Sequence, residues 1–157
     1  SSPDCGICPL SVFCFSYAAC SVARYPVKQG KTKVRNRYFN YFDVRLGNST
    51  YINKRTAKDI WQNLYELPLI ETTHPVDLEE LQSLDVFKHL FGDKGIKNIS
   101  FESRYKHILS HQHIHASFYR IELSYDLNSQ YREIHASEIG DYAVPQLIHR
   151  YLSEERA

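Results

Sequence analysis

The chain has 157 residues, 43% of them hydrophobic and 13% aromatic, with a formal net charge of +1. That is enough apolar material for one sizeable core and argues against disorder; the apolar runs are far shorter than a membrane span, and no charged-then-apolar signal peptide opens the sequence. The near-neutral total hides an asymmetry: Arg24, Lys28, Lys31, Lys33, Arg35 and Arg37 fall together, no acidic residue occurs between Asp4 and Asp43, and without those six the remaining 13 basic residues face 18 acidic ones. A basic segment joined to a mildly acidic body implies a local contact with a polyanion, phosphate being the natural candidate.

All four cysteines, Cys5, Cys8, Cys14 and Cys20, lie in the first 20 residues, spaced C-x2-C-x5-C with a further five residues to Cys20. A disulfide framework would be spread through the fold it staples, so the clustering argues for a metal centre and a reducing compartment. Thiolates two residues apart, with a third soon after, suit an iron–sulfur cluster; zinc accepts similar ligands, and plain packing of free cysteines stays open.

From Arg35 the pattern alternates. "RNRYFNYFDVRL" puts Tyr38, Phe42, Val44 and Leu46 at period two, and "GNS" turns the chain into "TYINKR", which predicts a β-hairpin. "DIWQNLYELPLIE" is too irregular for one strand and reads as packed loop or short strand. "VDLEELQSLDVFKHLFG" predicts a helix, with a capping box from Asp77 to Glu80, apolar residues at helical spacing and a stop at Gly92. "IKNISFESRYKHIL" and "HIHASFYRIEL", separated by "SHQ", predict a second hairpin; "YREIHASEI" adds a strand, and "VPQLIHRYLSEE" a final helix with Pro145 in its first turn. A mixed sheet with one helix between strands and one at the end is an α+β arrangement.

The stretch "CGICPLSVFC", followed by a basic linker with "YPVK", resembles the end of the catalytic domain of MutY-type adenine DNA glycosylases, whose iron–sulfur cluster loop runs C-x6-C-x2-C-x5-C. The later order resembles the MutT-like, Nudix-type domain that forms the C-terminal half of the same family: the "INKR" strand, "IWQNLYELP" for the family's Trp-Gly-Leu-Trp-Glu-Phe-Pro neighbourhood, then "HILSHQH". Together these stretches span essentially the whole chain. The resemblance implies a remnant of the cluster loop over residues 1–23, a basic interdomain linker over 24–34, and a Nudix-like mixed sheet flanked by helices over 35–157.

The resemblance further implies a C-terminal piece of a glycosylase that removes adenine mispaired with 8-oxoguanine in base excision repair, itself lacking the catalytic domain. Cys5, Cys8 and Cys14 match the last three ligands of a 4Fe-4S cluster; the first would stand three residues before Ser1, and Cys20 lies beyond the pattern. A cluster is thus expected in the full-length parent and none in this piece. The implied partners are double-stranded DNA holding 8-oxoguanine opposite adenine and the parent's own N-terminal catalytic domain. A monomer with no membrane contact, in the cytoplasm on the bacterial nucleoid, is implied as well.

Four of the chain's eight histidines, His107, His111, His113 and His115, occupy "YKHILSHQHIHASFYRIEL". The last three share parity, so a strand would place them on one face, where an H-x-H pair can chelate a metal; ordinary surface histidines and a recognition loop are the other two readings. The resemblance favours the loop: the family's Phe-Ser-His, which contacts 8-oxoguanine, reads Leu109-Ser110-His111 here, with His107 on the adjoining strand. The chemistry suits serine, because 8-oxoguanine offers an N–H at N7 and a carbonyl at C8, and a hydroxyl can accept from one and donate to the other.

Lys28, Lys31, Arg35 and Arg37 are the candidate phosphate contacts, against the plainer reading of a solvated tether. A different class of function is a Nudix hydrolase of oxidised nucleoside triphosphates, which needs an Arg-Glu-x-x-Glu-Glu array to hold Mg²⁺. Here "PVDLEELQSL" retains Glu79 and Glu80 without the Arg-Glu pair, and these acids read equally as a solvated helix face. A protein-docking module is the third reading; it accounts for the acidic body but not the basic linker.

Overall fold

The computed structural model describes residues 3–27, 33–92, 95–127 and 130–154. The chain divides into two compact units, residues 1–33 and 34–157. The first unit carries a 3-10 turn (Ser11–Phe13), a one-turn helix α1 (Phe15–Ala18) and a second 3-10 turn (Val22–Arg24), none with a buried residue. Val12 and Phe13 are 85% and 88% exposed, and Ile7, Leu10 and Phe15 are exposed with them.

The second unit is a seven-stranded sheet. Its strands are β1 (Arg35–Leu46), β2 (Ser49–Lys54), β3 (Tyr65–Glu66), β4 (Leu69–Thr72), β5 (Ile96–Ile108), β6 (Gln112–Leu123) and β7 (Arg132–His135). The order is β3-β2-β1-β6-β5, with β4 also pairing β1 and β7 pairing β2. β1 and β6 run parallel at the centre, from Arg35 opposite Gln112 to Arg45 opposite Glu122. Among the described residues no helix is long and apolar enough to cross a membrane.

Both expected hairpins are present, β1–β2 closed at Gly47 (φ 58°), where a side chain would be strained, and β5–β6. Of the expected apolar face of β1, Phe42 and Val44 are fully buried, but so are Phe39 and Tyr41 on the other side. The reason is position: a central strand is covered on both faces, so its sequence reads as nearly continuous apolar rather than as clean alternation. Phe39, Tyr41, Ile114, Ala116 and Phe118 pack with Leu147, Ile148 and Tyr151 of α4 (Gln146–Glu154). Phe42, Val44, Tyr119 and Ile121 pack with Leu81, Phe87, Leu90 and Phe91 of the two helices described next.

The single helix expected over "VDLEELQSLDVFKHLFG" is two, α2 (Leu78–Ser83) and α3 (Asp85–Phe91), parted by Leu84 in an extended conformation (φ −65°, ψ 137°). Ser83 Oγ donates to the Glu80 carbonyl (2.6 Å), the kind of local bond by which serine competes with helix continuation, and Asp85 then sits favourably in the first turn of α3. Asp77 does cap α2, accepting the Glu80 N–H (2.8 Å), while the Glu80 carboxylate turns to His74 Nε2 (2.8 Å). In "YREIHASEI" only Arg132–His135 is strand. His135 Nδ1 then accepts the Ser137 N–H (3.3 Å) and opens a 3-10 helix (Ala136–Asp141).

Candidate functional site

The long β5–β6 pair ends with Ile108 opposite His113, and the Leu109 N–H donates to the Gln112 carbonyl (2.9 Å). Ser110 and His111 are therefore the two central residues of the turn, and both are exposed. Leu109 is partly buried against the core on the α4 side, so it anchors the turn rather than projecting from it. Ser110 Oγ lies 3.2 Å from His111 Nδ1, and the Arg35 N–H at the start of β1 donates to the His111 carbonyl (3.1 Å). The tip thus offers one hydroxyl and one imidazole to solvent from a backbone held on two sides.

Beneath the tip lies a chain of ion pairs. Arg37, 7% exposed, forks onto Glu71 through Nε and Nη2 (both 2.7 Å), reaches Asp59 through Nη1 (2.9 Å), and stands 3.5 Å from Gln112 Oε1. Arg55 joins Asp59 (3.1 Å) to the buried Glu66 (2.6 Å), which also accepts from the Tyr41 hydroxyl (3.4 Å). The Glu71 hydrogen bond, aided by Asp59 and working against burial, raises Arg37 above the ordinary arginine range; Arg37 in turn holds Asp59 low. Burial pushes Glu66 up against the pull of Arg55. This network fixes the loop over residues 55–64, in which Trp61 and Asn63 adopt left-handed conformations (φ 59° and 69°), and Trp61 lies 5.7 Å from the His107 ring.

One sequence expectation changes here. Arg37, expected to meet phosphate, has its fork taken by two carboxylates, because a planar guanidinium buried beside Glu71 and Asp59 gains more from bidentate pairing than from solvent. Arg35 differs: its side chain is 74% exposed, with Glu71 only at 4.0 Å. Lys28 and Lys31 lie outside the described residues. His107 is on the opposite sheet face from His113 and His115, since Lys106 rather than His107 is opposite His115. Gln112 and Trp61, which the sequence reading left out, are what tie the tip to the ion-pair chain and the loop.

Among the described residues no group of three or more histidine, cysteine, aspartate or glutamate side chains is gathered so as to hold a metal ion. Cys5, Cys8 and Cys14 are half-buried free thiols and Cys20 is exposed. Three such thiols do not fill a four-thiolate shell, so by themselves they do not fit a 4Fe-4S cluster. On the helical side, Glu79 and Glu80 are exposed and Glu80 is occupied by His74. Incubation with Mg²⁺ and 8-oxo-dGTP is accordingly expected to release no monophosphate above background. Turnover abolished by Glu80→Gln would instead establish a hydrolase.

Comparison with known proteins agrees with this architecture. An adenine DNA glycosylase of Buchnera aphidicola subsp. Schizaphis graminum (strain Sg) is 27% identical over 110 residues, which are 70% of this chain and 30% of that protein, so the chain spans under a third of its relative's length. The C-terminal domain of mouse MUTYH, solved in complex with human PCNA, has a TM-score of 0.54 at 17% identity, covering 78% of this chain and 90% of that one. The MutT protein of Methanosarcina mazei Go1 also has a TM-score of 0.54, at 12% identity, covering 79% of this chain and 98% of that one. At these identities the solved structures speak for the fold alone. The model of the NUDIX domain matches residues 41–154, from the centre of β1 to the end of α4, and the chain belongs to the NUDIX domain family.

Proposed function

We propose that this chain is the 8-oxoguanine-recognition part of an adenine DNA glycosylase: a non-catalytic domain that grips the oxidised base while a separate catalytic domain, of which these residues hold only a remnant, removes the adenine opposite. The observation that carries the reading is the exposed Ser110–His111 turn at the end of a braced hairpin, in a chain related to an adenine DNA glycosylase. A serine hydroxyl can donate to the C8 carbonyl of 8-oxoguanine and accept from its N7–H, whereas guanine has only an acceptor at N7. His111, 3.2 Å from that hydroxyl, orients it.

Leu109 serves as an apolar anchor in place of an aromatic wedge, and His107 supports the tip through Trp61. Arg35, with Lys28 and Lys31, is assigned to phosphate. Residues 1–23 belong to the catalytic domain and 24–34 to the linker; the exposed apolar side chains around Val12 and Phe13 are the surface that the rest of that domain covers. Cys5, Cys8 and Cys14 would supply three cluster thiolates there, the fourth coming from the preceding chain. In that role the protein would act in the cytoplasm, on the nucleoid, and as a monomer.

Ser110→Ala in the full-length protein tests this. Equilibrium binding is measured at one fixed salt concentration, with a non-cleavable adenine analogue placed opposite 8-oxoguanine or guanine. A specific base contact is worth about 1–3 kcal/mol, so the preference for the oxidised duplex should fall about 5- to 150-fold. Equal losses on both duplexes would reduce Ser110 to a loop-supporting role.

A further inference from the structure

Helices α2 and α3 cover only one half of their sheet face. On the other half, β1, β6 and β5 present Tyr38, His115, Ser117, Lys106 and Arg104, with Tyr38 opposite His115 and Lys106 opposite His115 on its other side. Arg104 and Lys106 are exposed. Arg104 Nε donates to Ser117 Oγ (3.2 Å) and its guanidinium lies over the half-exposed Phe101 ring (5.6 Å). The His115 ring stacks on Tyr38 at 5.0 Å and 19°. A cavity of about 90 Å³ opens between Tyr38, Asn40, Val76, Arg104, His115 and Ser117. Asp77, which lines a neighbouring cavity with Phe101, Arg104 and Tyr119, accepts the Glu80 N–H.

This face is continuous with the tip. Going back from Ser110–His111, the same side carries Ile108 and His113, then Lys106 and His115, then Arg104 and Ser117. Each step of two residues advances about 6.8 Å, so polar and cationic groups recur evenly for roughly 20 Å from the turn. His115 is held below the ordinary histidine range by burial first and then by the charges of Lys106, His113 and Arg104, as expected of a locally positive surface.

We propose that this half-face is a track for the sugar–phosphate backbone of nucleic acid, on which Lys106 and Arg104 pair with successive phosphates while His113 and His115 supply hydrogen bonds and the buried Ser117 holds Arg104 in place. It rests on the reading that the tip engages a base in DNA, and extends that contact along the strand. Cations on a regular, rigid strand suit a polymer with regularly spaced charge, and the chemistry is independent of base sequence.

The test uses the full 157-residue chain and fluorescence anisotropy with labelled duplexes holding 8-oxoguanine or guanine opposite adenine, between about 50 and 200 mM salt. Arg104→Gln with Lys106→Gln is expected to lower the slope of log affinity against log salt by about two, and to lower affinity near 0.1 M salt at least about tenfold, equally on both duplexes. Lys106→Gln alone, which leaves the Arg104–Ser117 bond in place, should lower the slope by about one. Lys97→Gln removes the same charge from the far end of β5 and should change nothing.

An unchanged slope in the double variant, an equal change from Lys97→Gln, or no duplex binding by the parent chain at about 50 mM salt would each overturn the track. So would polyglutamate binding as tightly as duplex with the same loss in the variant, which would assign the face to an acidic protein. Failure of the Ser110 reading shows separately, as unchanged discrimination in Ser110→Ala while the slopes still respond to Lys106 and Arg104.

Discussion

Replacing Phe118 by alanine should destabilise the second unit by about 3–5 kcal/mol. Phe118 lies in the middle of β6 with no exposed surface. Its ring stacks on Tyr151 of α4 at 4.4 Å and 15° and on Tyr41 of β1 at 5.3 Å and 25°, and meets Tyr105 of β5 edge-on at 5.6 Å. Alanine removes the transfer free energy of a buried aromatic side chain and leaves a cavity between sheet and helix that the three aromatic neighbours cannot close. Two stacked partners lose a further contribution of about 0.5–1.5 kcal/mol each at most. With domain stabilities of about 5–15 kcal/mol, a large share of the total goes. Urea unfolding followed by the single tryptophan, Trp61, should show a lower midpoint with an unchanged slope; a shift under about 1 kcal/mol would mean that the α4 side of the core is not cooperative with the sheet.

Glu66→Ala should cost about 3 kcal/mol by a different route. Arg55 and Glu66 have side chains only 9% and 8% exposed and meet at 2.6 Å, so removing the carboxylate leaves a buried guanidinium short of its main counter-charge. Asp59 still contacts Arg55, which keeps the loss toward the lower end of the usual range for breaking a buried pair. Limited proteolysis should then find the loop over residues 55–64 before the sheet opens. Glu66→Gln, which keeps the volume, should lose less. Burial raises the Glu66 carboxyl, so charging it costs more in the folded chain than in the unfolded one. The parent should therefore gain stability relative to Glu66→Gln as pH falls through that raised value, and lose it again as pH rises. Equal pH profiles for the two proteins would contradict the assignment.

The architecture was largely written in local pattern. Both hairpins carried period-two apolar residues around polar turns, and α4 followed Pro145 as expected. What the sequence could not disclose was long-range. The parallel pairing of β1 with β6 joins residues more than 70 positions apart, and nothing in "RNRYFNYFDVRL" announces that both its faces will be covered. The break at Leu84 is hidden in the sequence because the apolar spacing runs straight through it, while the Ser83 hydroxyl decides otherwise. The site shows the same division. The Ser110–His111 turn was legible as a polar interruption between two strands. The fate of Arg37 was not, because its partners Asp59 and Glu71 approach from separate elements and a cation in a basic run looks free until its surroundings are known. Arg104 and Lys106 carry no local signal of their own, since only the pairing of β5 with β6 sets them beside Ser117 and His115.

The bond from the Arg35 N–H to the His111 carbonyl also has a mechanical side. A pull applied to the chain at Val34 is delivered beside the turn and loads the β1–β6 ladder lengthwise, rung against rung, instead of peeling it open one pair at a time. Tension in the preceding segment would therefore be borne in shear by the central strand pair of the sheet, and the turn would travel with the point of pull instead of lagging behind it.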